Sequence, residues 1–155
     1  MIENDTIRLL RVCDSGVKMG ILSINDVVNQ VEDDKLAKTL KKSREKHEKL
    51  DGEINKILAE YHDDGKEPGT MARGMSWIKT GVKMAVDPSD ATIADLMTDG
   101  CHMGCKSLQK YLNEYPAAEN RVKHIAEELI EVEEEMVEEM KEYLRSNQKR
   151  RRRQV

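Results

Sequence analysis

Phenylalanine is missing from this 155-residue chain, and aromatic residues together make up only 3% of it. Sheet cores draw on aromatic and β-branched side chains, so a sandwich or barrel is poorly supplied. Cysteine is scarce too. Cys13, Cys101 and Cys105 are an odd set, which argues against a disulfide framework. The opening Met-Ile-Glu-Asn-Asp has neither a basic start nor an apolar run, so no secretory signal is expected. No apolar stretch approaches the roughly 20 residues needed to span a bilayer. A reducing cytoplasm is the expected compartment.

What is present favours helices. Charged residues reach 36%, and nine Met join Leu, Ile and Val as the only bulky core material. Leu, Met, Glu and Lys are good helix formers. The length suits one domain with a real core that needs neither disulfides nor a structural metal. The net charge of −4 conceals an asymmetry. Lys149, Arg150, Arg151, Arg152 and Arg153 carry +5 near the C-terminus, so the remainder stands at −9. An acidic body with a basic, unpatterned tail is the expected division, at about residues 1–146 and 147–155.

Apolar spacing marks four long helices. Ile7, Leu10, Val17, Ile21, Ile24 and Val28 follow the cap-type cluster Asn4-Asp5-Thr6 and predict a first helix over about 6–30. Asp33-Asp34 opens a second, through Leu36, Leu40, Leu50, Ile54, Leu58 and Tyr61, which Asp63-Asp64-Gly65 should end with glycine as the left-handed cap. Pro68-Gly69-Thr70 begins a shorter helical stretch that stops at Asp87-Pro88. Asp87 is the expected cap of a third long helix carrying Ile93, Met97, Leu108 and Leu112. After Tyr115-Pro116, a fourth helix runs over about 117–145. Links that are short, long, short select an up-down-down-up bundle with a helix-containing crossover. The alternative is a plain up-down bundle with one extra helix.

At about 100° per residue, number alone tells which polar side chains face inward. His47 falls at the centre of the second helix's apolar arc, Glu133 at that of the fourth, and Cys101 at that of the third with Cys105 beside it. Asp14 lies within the first helix's arc, off its centre. At 1.5 Å per residue, His47 and Cys101 come at similar heights, with Asp14 and Glu133 within about a turn. A buried carboxylate requires a partner, and His47 is the expected one for Glu133. A structural His47–Glu133 pair is favoured over a metal or proton-transfer site, which would add Asp14. Cys101 and Cys105 share a face, and with His102 they suggest a thiol or soft-metal site. Their small size among Gly100 and Gly104 fits close helix packing better.

Several segments together resemble the ferritin-like superfamily, in particular a bacterial branch of it. They are Val17-Lys18-Met19-Gly20, Met75-Ser76-Trp77, Ile93 to Gly104, and the acidic run Ile130-Glu131-Val132-Glu133-Glu134. The resemblance covers about residues 6–145. It implies a four-helix bundle, a homodimer or larger homo-oligomer, and iron or manganese held by Glu residues and Glu-x-x-His motifs. This chain departs from that ligand pattern. Arg44, Ala59 and Arg121 stand three before His47, His62 and His124. The nearest match, Asp99-x-x-His102, is expected on a solvated face. The resemblance therefore implies a bundle without a complete two-metal centre, acting as a structural or binding protein. The alternatives are a metal-binding redox or storage protein with a non-standard mid-bundle site and, less favoured, nucleic-acid association through Arg150, Arg151, Arg152 and Arg153. No aromatic residues interleave with these arginines for base stacking.

Overall fold

A computed structural model describes residues 2–65 and 89–144. The short helical stretch expected over 70–86, the Asp87-Pro88 cap and the basic tail lie outside those residues. Four long α-helices fill the described part, and no strand occurs among these residues. They are α1 (Ile2–Val27), α2 (Asp34–Glu60), α3 (Asp90–Glu114) and α4 (Asn120–Met140). One-turn 3₁₀ segments close α1 at Val28–Gln30 and α4 at Lys141–Tyr143.

The helix ends correct three expectations. The first helix begins four residues before the expected 6, because its cap-type residues serve another element. The Thr6 hydroxyl donates to the Ile2 carbonyl at 2.6 Å and accepts the Glu119 amide at 2.9 Å. Asp5 accepts the Ala117 amide at 3.2 Å. Glu119 gives α4 no side-chain cap of its own, so α1 covers the orphan donors at the start of α4. At the end of α2, His62 rather than a glycine is the first residue to turn left-handed, with φ 52°, and Gly65 follows at φ 78°. The His62 amide bonds to Ala59 and the Asp63 amide to Leu58, which closes the last turn. Ser89, two residues after Asp87, caps α3 by accepting from the Thr92 amide. The cap of α2 is Asp33, which accepts from Leu36 at 2.8 Å.

Cross-links fix how the helices run. Asp90, at the start of α3, accepts the amides of Glu32 and Asp33 at 2.9 Å each, so α2 and α3 start at the same end. Thr6 against Glu119 brings the starts of α1 and α4 to the opposite end. Ion pairs tie α2 to α4 along their length: Arg121 to Glu60, Lys46 to Glu135, and Lys35 to Glu142 just past α4. These are exposed, so solvent and salt screen them and they orient the helices more than they stabilise them.

The core has two apolar clusters. Leu9, Leu10, Val17, Leu50, Ile54, Val122 and Leu129 are among the members of one. Ile24, Val27, Leu36, Leu40, Ile93, Met97 and Met140 are among those of the other. Most fully buried leucines and isoleucines lie on the inward arcs that the spacing predicts, but in α1 Leu9, outside the expected arc, is fully buried while Ile7 and Ile21, within it, are only partly so. Between the clusters the interior turns polar.

Candidate functional site

That middle layer is built around His47 and Glu133, 2% and 8% exposed. The Nε2 atom of His47 lies 3.1 Å from Glu133 Oε1, and Nδ1 lies 2.7 Å from the Ser43 carbonyl oxygen. The second contact assigns a proton. A backbone carbonyl only accepts, so Nδ1 carries hydrogen. Burial pulls the His47 value down, but the hydrogen bond and charge of Glu133, helped by the Ser43 carbonyl, outweigh it and leave the imidazole above its ordinary value. The favoured state is an imidazolium donating from both nitrogens to a carboxylate and a carbonyl. Glu131, Glu134 and Glu135 on the same helix are exposed, so Glu133 alone among these neighbours is turned inward.

Two glycines make room for the pair. A methyl group at Gly20 on α1 would stand 2.5 Å from both Cδ2 and Nε2 of His47, so that edge of the ring lies against bare backbone. A methyl group at Gly104 on α3 would meet Glu133 Oε2 at 3.4 Å. Oε2 is therefore the carboxylate edge turned toward α3, while Oε1 serves the histidine.

Cys101 and Cys105 reach the same carboxylate from α3. Burial, with Glu133 charge and a hydrogen bond to it, drives the Cys101 thiol far above its ordinary range. Burial and the same charge push Cys105 up to about 11, and its thiol sits 3.8 Å from the Ile130 carbonyl. Both sulfurs are free of disulfides, as is buried Cys13. Protonated, buried thiols are poor nucleophiles and poor ligands.

Asp14 does not join this layer. Its carboxylate pairs with Lys18 at 2.9 Å and lies against Gly65, where a side chain would strike it. It sits six residues from Gly20 along α1, about 9 Å down the axis. Its negative charge also raises Asp51 on α2, after the larger contribution of burial. Among the described residues, no group of three or more His, Cys, Asp or Glu is arranged to hold a metal ion. Asp99 and His102 are exposed on α3, as facing predicts.

The pair lies on the wall of a cavity of about 510 Å³ between α1 and α3. Met19, Met97, Leu108, Leu129 and Met136 supply much of its apolar lining, and Gly16, Gly20, Gly100 and Gly104 keep it open. Met103 also lines it and is 61% exposed, which marks the mouth. Sequence reasoning found His47 and Glu133 but missed the cavity, which Gly100 and Gly104, expected to pack helices closely, instead line; it also missed the Ser43 carbonyl and Lys18. Lys18 was findable, since it stands at i+4 from an inward Asp. A cavity depends on how closely two helices approach, which spacing along one of them does not report.

No family model, curated protein or solved structure matches the chain. The class is therefore defined by architecture and site alone: an all-α bundle with a buried His–Glu pair beside an apolar cavity.

Proposed function

We propose that this protein is a ferritin-like bundle, up-down-down-up in its helix order, that works as a binding protein and not as a two-metal oxidase. The common starting end of α2 and α3 supports that helix order, since a long return must join them. The observation that carries the functional reading is where the buried His47–Glu133 pair stands. His47 spends both nitrogens on protein partners, and the pair forms part of a cavity wall.

The residues do not fit a ferritin-type two-metal centre. The Glu-x-x-His motifs are replaced, Asp14 is engaged with Lys18 about 9 Å away along α1, and the thiols near Glu133 are held protonated. One observation favours the second reading, a single-metal site. A histidine that donates Nδ1–H to a backbone carbonyl is oriented as metal-bound histidines are. That reading supports an iron or manganese redox or storage role at His47 and Glu133.

Elemental analysis of protein purified without chelators separates the two. Less than about 0.1 iron or manganese per chain, unchanged in His47→Ala, is expected for the binding protein. One or two ions per chain that disappear in His47→Ala would establish the metal reading. A homodimer, a cytoplasmic location and nucleic-acid contact through Arg150 to Arg153 belong to the same proposal only as secondary elements. The arginines lie outside the described residues.

A further inference from the structure

We infer that the α1–α3 cavity is a small-molecule site for an apolar alcohol or amine, with Glu133 Oε2 as the acceptor that recognises the ligand's hydroxyl or ammonium group. This rests on the binding-protein reading above and adds the ligand's chemistry.

The volume of about 510 Å³ falls within the range of about 300–1,000 Å³ usual for small-molecule sites. It also far exceeds an engineered apolar cavity of about 150 Å³ that takes up benzene. The lining is mostly apolar, with Ser23, Ser107 and the His47–Glu133 pair as its polar side chains. Four of its side chains are methionines, Met19, Met97, Met103 and Met136, whose flexible thioethers adapt to ligands of varied shape. The mouth is set by Met103 on α3.

The His47–Glu133 pair determines which head group is accepted. Both hydrogens of the His47 ring are already committed, so the pair presents no donor. What it offers is the Glu133 carboxylate, whose Oε2 faces Gly104 and which the Cys101 thiol also approaches. An anionic head would meet this oxygen as like charge. A hydroxyl or ammonium would gain a charge-assisted hydrogen bond. The Ser23 and Ser107 hydroxyls and the Cys101 thiol also line the wall, so it is the charge of the Glu133 carboxylate that selects alcohols and amines over carboxylates of the same length.

The test uses the full chain and the fluorescent probe N-phenyl-1-naphthylamine, an apolar amine with one N–H. Saturable uptake of about one probe per chain is expected. Decanol and decylamine should displace it at least tenfold better than decanoate. Gly104→Leu, which puts a side chain over Oε2 and into the cavity, should lower uptake at least tenfold while the variant remains helical. Glu133→Gln should lower probe uptake and erase the preference for decanol and decylamine over decanoate. If no probe binds, or if Gly104→Leu binds as the parent does, the cavity is not the site, and the binding-protein reading loses its pocket. If the probe binds and Gly104→Leu abolishes it, but decanoate competes equally, the pocket stands and the donor-selective chemistry is overturned.

Discussion

At the scale of single residues the His47–Glu133 pair makes the sharpest demands. Removing one member leaves the other buried and uncompensated. His47→Ala and Glu133→Ala should each cost about 3–5 kcal/mol, whereas a double replacement by Leu and Met should cost much less. Urea unfolding of the three variants measures this directly. The pair also has a pH signature. His47 is raised in the folded protein, so its contribution is full below the unfolded value of about 6.5 and declines as pH rises through the folded value. Stability of the parent should fall as pH rises from about 6.5 upward by a component that His47→Leu lacks. The cysteines give a second residue-scale prediction. With Cys105 at about 11 and the other two buried, Ellman's reagent at pH 8 should find one slow thiol in the native protein and three fast ones in denaturant. A fast native thiol would contradict the burial described.

Among the elements, glycine position separates packing from propensity. Gly52 on α2 is exposed, and a methyl group there meets nothing within 4 Å. Gly52→Ala should therefore stabilise by about 0.4–1 kcal/mol. Gly20→Ala has the same intrinsic gain and should nonetheless destabilise, by about 1–3 kcal/mol, because the His47 ring cannot retreat. Thermal melts of the two variants should move in opposite directions. Helix existence was legible from the spacing of Leu36, Leu40, Leu50, Ile54 and Leu58, because one inward arc is all that a bundle helix requires. The ends were less so. Thr6 reads as a cap for its own helix but serves α4, and Ser89 takes the place expected of Asp87. The first choice is tertiary, made across 113 residues of chain; the second is local, between two polar residues that flank Pro88. The site was half legible for the first of these reasons. Facing follows from 100° steps and put His47 and Glu133 together, but height depends on how the helices slide past one another. That is where Asp14 was misplaced.

Over the whole molecule, the two apolar clusters meet across a polar, glycine-lined layer that is open along α1 and α3. Packing is therefore thinnest along that seam. Native-state hydrogen exchange should show the amides of 100–107 on α3 opening at lower free energy than those of 122–133 on α4, which are backed by Val122, Ile125, Ala126 and Leu129. Uniform protection along both helices would mean that the layer is as well packed as the clusters. Among the described residues no helix is long and apolar enough to cross a membrane.

The contact of the His47 ring with bare backbone at Gly20 makes two positions, 27 apart in sequence, share one allotment of space. Evolution cannot enlarge one without shrinking the other. Descendants that keep imidazole at 47 are bound to glycine at 20, and those that lose the ring are released to place alanine there and recover helix propensity. The two substitutions should travel as a linked pair across the lineage, with the histidine lost first, since the reverse order passes through a clash.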